Sequence, residues 1–255
     1  MTLTYDQLGN QQAAHRIALL HGFTQTRRSM HGLISEMGAL STEFSAMAVD
    51  APLHGESQHV ATDVSGAADA LVETCGQAIY LGYSMGARIC LHAALQHPTQ
   101  VQGLVLISGT AGIIDPTQRA HRQEADNDLA DHIEQVGTQQ FIAEWLSKPM
   151  FALLPDNPLD IAERCTNSAT SLATSLRMCG TGTQKSLWDV LPTLSMPVLL
   201  IAGAHDEAFC QHARRMHKLI GSNATLHIVQ DAGHSVHLEQ PHTTAQIVCK
   251  WLATL

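Results

Sequence analysis

Short apolar runs alternate with stretches of helical spacing through the first hundred residues. Ile17–His21 (IALLH), Phe44–Asp50 (FSAMAVD), Ala78–Leu81 (AIYL) and Val101–Ser108 (VQGLVLIS) are mostly apolar and short, and predict strands. Between them Arg27–Leu40, Val60–Cys75 and Met85–His97 repeat their apolar residues every three to four positions and predict helices, the last closed by Pro98. Runs with little polar alternation, joined by helices, indicate a mostly parallel central sheet flanked by helices on both faces, which is the α/β class.

The rhythm then breaks. From about Asp115 to Leu191 no strand pattern is visible, but Thr117–Val136, Thr138–Leu146, Leu159–Met178 and a short piece near Leu187 read as helical. After Pro197 the sheet pattern returns with Val198–Gly203 and Thr225–Val229, separated by a helix over Glu207–Ile220 and followed by one over Pro241–Leu252. The expected organisation is a core formed by residues 1–114 and 191–255 with an inserted helical lid over residues 115–190. Such a lid would lie over the carboxyl edge of the sheet, where open α/β sheets bind ligands.

Composition narrows the function classes. At 255 residues, 45% hydrophobic and 15% charged, the chain is too apolar for disorder and long enough for a sizeable core. No run approaches the ~20 apolar residues of a membrane helix. The start MTLTYDQLGNQQAAHR lacks a basic stretch followed by an apolar one, so no secretory signal and a cytoplasmic location are expected. A formal charge of −9 leaves no basic footprint for nucleic acid or an anionic membrane. The six cysteines form no C-x-x-C pair and read as reduced thiols. Among the 16 histidines, His234 and His237 form the closest same-element pair, but no tight ligand cluster or H-E-x-x-H accompanies them, so neither metal nor cofactor is expected.

The strongest chemical signal is Gly82-Tyr83-Ser84-Met85-Gly86, a G-x-S-x-G between a strand run and a helical run. That context suits a serine on a sharp strand-to-helix turn, with glycines where side chains would collide. A serine needs a base oriented by a third group. His234 in DAGHSVH and Asp206 in GAHDEAF each follow a predicted strand and would project from the same sheet edge as Ser84. His237 is a rival base, and Asp231 or Glu207 a rival acid; Asp206 also reads as an N-cap. Two backbone N–H groups are needed for an oxyanion hole, and Met85 and Phe23 (in His21-Gly22-Phe23) are the candidates. Arg88 lies one helical turn beyond Ser84, suited to an anionic group bound at the serine. Arg119 and Arg122, three apart, and Arg164 and Arg177 lie on lid helices; which of Arg119 and Arg122 faces inward is open. Trp145 and Phe151 suit lid core or pocket wall.

HGFTQT, the D-x-P-x-H-G-x-S segment over Asp50–Ser57, GYSMGAR, AGH and the late aspartate together resemble the α/β-hydrolase superfamily. With QRAHRQ (Gln118–Gln123), EWLSKPMF (Glu144–Phe151), the Arg164-led RCTNSATSLATSLR and GAHDEAF, the likeness extends to one menaquinone-pathway family, MenH, the 2-succinyl-6-hydroxy-2,4-cyclohexadiene-1-carboxylate (SHCHC) synthases. It runs from about Leu19 to Glu239. The resemblance implies an α/β-hydrolase fold and a lyase that eliminates pyruvate from 2-succinyl-5-enolpyruvyl-6-hydroxy-3-cyclohexene-1-carboxylate without an acyl-enzyme. By motif position it implies Ser84, Asp206 and His234 as catalytic residues and Phe23 and Met85 as oxyanion donors. Arg88, Arg122 and Arg164 are implied as anion binders, with Tyr83 and Trp145 beside an anionic small-molecule substrate. The expected state is a monomer or weak homo-oligomer.

Two positions depart from the family pattern. Leu53 stands where the P-G-H-G loop usually has glycine, and Ala87 replaces the second glycine of S-x-G-G-R. The competing reading is a serine hydrolase of the same fold acting on an ester or carbon–carbon bond of an anionic small molecule. A ligand-sensing module with little turnover is the reading from another class, against which the intact serine, histidine and aspartate argue.

Overall fold

The computed structural model describes residues 1–255. Its strands are β1 (Tyr5–Gly9), β2 (His15–Leu20), β3 (Phe44–Val49), β4 (Ala78–Tyr83), β5 (Val101–Ile107), β6 (Val198–Gly203) and β7 (Ala224–Val229). They form one sheet in the order β1-β3-β2-β4-β5-β6-β7. Only β1 runs antiparallel, pairing Tyr5 with Val49; every other neighbouring pair is parallel. The helices between strands are α1 (His31–Leu40), α2 (Val64–Cys75), α3 (Met85–Gln96) and α7 (Glu207–Ile220); α8 (Val236–Glu239) and α9 (Pro241–Leu252) end the chain. The fold is thus the mostly parallel α/β architecture that the hydrophobic pattern predicts.

Both faces of the sheet are covered, and the side-chain alternation shows how. Ile17, Leu19, Ile79 and Leu81 point into a core closed by α1 and α9. Ala18, Leu20 and Tyr80, one position out of phase, point into a core closed by α2, α3 and α7. Full burial of each Leu or Ile contributes ~1.5–3 kcal/mol relative to exposure. Strand β1 was not legible in the hydrophobic pattern because Tyr5, Gln7 and Gly9 are exposed and neither face is fully covered. It is an edge strand whose place comes from pairing rather than burial.

Between β5 and β6 the chain makes α4 (Pro116–Leu146), α5 (Pro158–Arg164) and α6 (Ala169–Cys179), and no strand. Helix α4 is broken at Gly137, whose φ of 78° and ψ of 167° are not helical. The sequence places its helix boundary at that same residue. Ile133, Phe141 and Ile142 of α4 pack on Leu172, Ala173 and Leu176 of α6 in a separate small core. The single helix expected over Leu159–Met178 is instead two. Asn167, buried between them, donates its amide to the Thr24 carbonyl at 2.9 Å and accepts from the Gly55 N–H at 2.8 Å. Asn167 thus bridges two core loops from within the break, and Ser168 caps the restart by accepting from Ser171 N.

The loops after β2 and β3 are joined through buried imidazoles. His21 Nδ1 donates to the Gly22 carbonyl at 2.8 Å while its Nε2 accepts from Ala51 N at 3.0 Å. His54 Nδ1 donates to the Pro52 carbonyl at 3.0 Å and its Nε2 accepts from Thr24 N. These bonds require neutral rings, and burial pulls His21 down to about 4 and His54 to about 3. His237, on α8, is also pushed to about 3 by burial, with Arg164 adding to the effect. Its ring lies 4.4 Å from that of Tyr83, and neither of its nitrogens has a hydrogen-bond partner.

These rings make the fold acid-sensitive. The unfolded chain binds their protons near pH 6.5, the folded chain only near about 4 for His21 and about 3 for His54 and His237. Their stabilising contribution is complete above the unfolded value and is lost as pH falls through that window, at about 1.4 kcal/mol per pH unit per ring. Urea unfolding across this range should show the decline. His237→Phe gives up no hydrogen bond and should reduce the slope by one proton; an unchanged slope would contradict neutral burial of that ring.

Candidate active site

Ser84 sits between β4 and α3 with φ 51° and ψ −107°, a conformation that L-residues avoid. The turn is held because its surroundings admit nothing else. A Cβ at Gly82 would lie 2.3 Å from the Gly86 carbonyl oxygen, and one at Gly86 would lie 2.2 Å from that of Leu20. The Ser84 N–H donates to the Ile107 carbonyl at 2.9 Å, tying the turn to β5. The first N–H groups of α3 lie immediately beyond the hydroxyl and have no helical acceptor.

His234 and Asp206 arrive from the ends of β7 and β6. His234 Nε2 is 3.0 Å from Ser84 Oγ, and its Nδ1 is 2.7 Å from Asp206 Oδ2. Asp206 also caps α7, its Oδ1 accepting from Phe209 N at 3.3 Å. The two readings of that aspartate, helix cap and partner of the imidazole, are therefore both true of its geometry. His237 does not reach the serine. Two residues that the sequence reading missed hold the histidine loop: Ser108 Oγ donates to the His234 carbonyl at 2.7 Å, and Glu239 accepts from the N–H groups of Gly233 and Ser235. Ser108 reaches the loop from the end of β5, 126 residues earlier in the chain, and Glu239 by the chain folding back from α8, so no local pattern announces either.

Phe23 lies in the loop tied by the buried imidazoles. Its N–H donates to no protein group, and Gly22 N is held by Gln25 Oε1 at 2.9 Å. Thr24, next in the chain, has a φ of 70°. Its hydroxyl accepts from Arg164 Nη1 at 2.7 Å, while Arg164 Nε donates to Asp160 Oδ2 at 2.6 Å. Arg164 thus lies behind the Phe23 loop, almost wholly buried, and is absent from the cavity wall. Tyr83 is likewise outside the wall: its ring lies 5.4 Å from that of His234, and its hydroxyl pairs with Ser235 Oγ at 2.7 Å. Both residues therefore stand behind the cavity wall, Arg164 against the Phe23 loop and Tyr83 against the His234 loop. Leu53, in the neighbouring loop, adopts a φ of 65°, the left-handed geometry for which glycine is usual.

Above Ser84 and His234 is a cavity of about 200 Å³, whose wall includes Phe23, Met85, Arg88, Arg122 and Trp145. Arg88 is buried and has no carboxylate partner. Its Nη1 donates to Gln184 Oε1 at 3.0 Å and its Nη2 to the Cys179 carbonyl at 2.7 Å. Burial lowers it to about 10, which leaves it a cation at neutral pH. Gln184 is itself fully buried, and its Nε2 has no partner. Arg122 is half exposed, with Nε donating to Asp126 Oδ1 at 2.8 Å. Arg119 bonds the Ile113 carbonyl and does not line the cavity, which resolves the rotation of α4 in favour of Arg122. Trp145 packs edge-on to Phe23 at 5.5 Å between ring centroids.

The alpha/beta hydrolase family pattern matches residues 17–247. A Bacillus subtilis (strain 168) protein that carries the provisional name 2-succinyl-6-hydroxy-2,4-cyclohexadiene-1-carboxylate synthase is 34% identical over 95% of this chain and 92% of its own. A Serratia proteamaculans (strain 568) protein, named 2-succinyl-6-hydroxy-2,4-cyclohexadiene-1-carboxylate synthase, is 31% identical over 85% of this chain and 88% of its own. Among solved structures, MenH from S. aureus superposes with a TM-score of 0.88 at 26% identity, covering 100% of this chain and 99% of that one. The chain therefore belongs to the α/β hydrolase family and, within it, to the SHCHC synthases (MenH) of menaquinone biosynthesis.

Proposed function

We propose that this chain eliminates pyruvate from 2-succinyl-5-enolpyruvyl-6-hydroxy-3-cyclohexene-1-carboxylate, with residues 115–190 as the lid over a core of residues 1–114 and 191–255. The observation that carries this reading is one cavity holding both the Ser84–His234 pair and the buried, carboxylate-free cation of Arg88. A neutral ester gives no reason to bury a guanidinium that has no ion-pair partner, whereas a substrate with several carboxylates does.

The chemistry follows from the substituents. The ring carbon bearing the succinyl group is α to a ketone, so its proton is the most acidic on the ring. Ser84 Oγ takes that proton while passing its own to His234 Nε2, and Asp206 holds the resulting imidazolium. Charge moves onto the succinyl ketone oxygen, where the N–H groups of Phe23 and Met85 receive it. The electron pair then returns through the ring double bond, which shifts, and the carbon–oxygen bond to the enolpyruvyl group breaks. The departing enolate takes up a proton and becomes pyruvate, leaving the 2,4-diene of the product. Arg88 and Arg122 hold carboxylates of the substrate, and Trp145 forms part of the wall beside it. Arg164 and Tyr83 are positioning residues for the Phe23 and His234 loops.

The reaction is tested by following pyruvate release from this substrate with a lactate dehydrogenase couple. Ser84→Ala and His234→Ala are expected to lose about 10²–10⁴-fold in kcat, as general acid–base groups do. No pyruvate from the unaltered chain, together with an acyl-enzyme burst on aryl esters, would replace this reading with the serine hydrolase.

Gln184 offers a second test. Its neutral amide satisfies Arg88 without cancelling its charge. Gln184→Glu would place a carboxylate against the guanidinium, so the variant should fold at least as stably yet bind the substrate about 10- to 100-fold more weakly, the size of a lost charge-assisted hydrogen bond. An unchanged KM would remove Arg88 from substrate binding.

A further inference from the structure

A second, larger chamber adjoins the cavity over Ser84. Its volume is about 570 Å³ against about 200 Å³ for the inner one, and both are walled by Thr110, Arg122, Thr181 and Phe209. The inner volume falls below the ~300–1,000 Å³ typical of small-molecule sites, so a substrate of the proposed size has to extend beyond it. The outer chamber has chemistry of its own. Trp188 is almost wholly buried and fixed by donation from its Nε1 to the Gly112 carbonyl at 2.8 Å. The guanidinium of Arg215 lies over that ring, 4.3 Å from the centroid. Arg215 forms no ion pair, whereas its neighbour Arg214 lies 3.9 Å from Glu207. His212, half-buried, sits between Trp188 and Phe209 with ring separations of 5.9 and 5.5 Å. One acidic side chain, Asp115, lies on the chamber wall, and its Oδ1 is occupied by the Gln118 N–H at 2.8 Å.

In a chain of net charge −9, connected chambers thus each present a guanidinium with no carboxylate of its own: Arg88 inside and Arg215 outside, with Arg122 between. We propose that the outer chamber is a second carboxylate subsite, with Arg215, held over the Trp188 ring, as its anchor. This rests on the reading of the substrate as a polycarboxylate and adds where one of its arms is held. A guanidinium resting over an aromatic ring has fewer orientations to lose and still has N–H groups to offer a planar carboxylate. The carboxylate belongs either to the succinyl arm or to the enolpyruvyl group, and succinate and pyruvate stand for the two.

The test compares Arg215→Glu with Arg214→Glu, a change of equal charge one residue away and outside the chamber. Arg215→Glu is expected to raise KM for the substrate about tenfold or more with little change in kcat, the pattern of lost ground-state and transition-state binding alike. Competitive inhibition identifies the arm: the competitor that occupies the chamber should weaken about tenfold in Arg215→Glu and much less in Arg214→Glu. Equal and small effects of the two substitutions on KM and on both competitors would overturn the subsite. Titration calorimetry of succinate and pyruvate against the unaltered chain and both variants decides the subsite even if no pyruvate is released, an outcome that would refute the proposed reaction separately.

Discussion

The candidate site depends on how closely the turn after β4 approaches the end of β2. With Gly86 pressed against the Leu20 carbonyl and Gly82 against Gly86, the chain has room for one path, and that path puts Ser84 into a left-handed conformation. Strain of this kind costs ~1–3 kcal/mol and persists only where the surroundings over-determine it. Here they do. Strand β4, which leads into the turn, is fully buried, and the Ser84 N–H is held by β5. The same approach brings the Phe23 loop, which leaves β2, alongside the start of α3. One close contact between backbones therefore aligns the hydroxyl, the Phe23 N–H and the first turn of α3.

Around that turn the protein manages charge in opposite ways. His21, His54 and His237 are buried and kept neutral, two of them by backbone bonds that allow one tautomer. Arg88 is buried and kept charged, because a guanidinium gives up its proton too reluctantly for burial to neutralise it. Its acceptors are an amide and a backbone carbonyl, which satisfy geometry without cancelling charge. Arg164, by contrast, has a carboxylate partner in Asp160 and serves to brace a loop. Identical side chains on neighbouring elements thus differ in how much charge they leave open, according to what accepts their hydrogen bonds.

This distinction marks the limit of what was legible in the chain. The strands covered on both faces, the serine turn and its partners His234 and Asp206 all lie in local patterns, and each was readable because burial or steric demand acts on consecutive residues. β1 escaped because an edge strand with exposed alternate residues carries no such pattern. The interruption between α5 and α6 escaped because Asn167, within it, is held by two distant loops that leave no mark on the local pattern. The orientation of Arg164 depended on Thr24 and Asp160, the roles of Gln184 and Ser108 on contacts across many intervening residues, and that of Glu239 on how the chain after His234 folds back onto Gly233 and Ser235. Side-chain partners set by tertiary packing have no periodicity to read.

Asp206 illustrates what such sharing implies for the variation open to the molecule. The start of a surface helix is ordinarily one of the freest places in a protein, since Ser, Thr, Asn and Asp cap almost interchangeably. If the proposed reaction holds, that liberty is withdrawn at α7: a hydroxyl or amide would preserve the helix but leave the imidazolium of His234 with no anion to lean on. Related chains that keep proton transfer should retain an acid here even where folding alone would accept any of four residues, so the permitted alphabet at this position is written by reactivity and not by architecture.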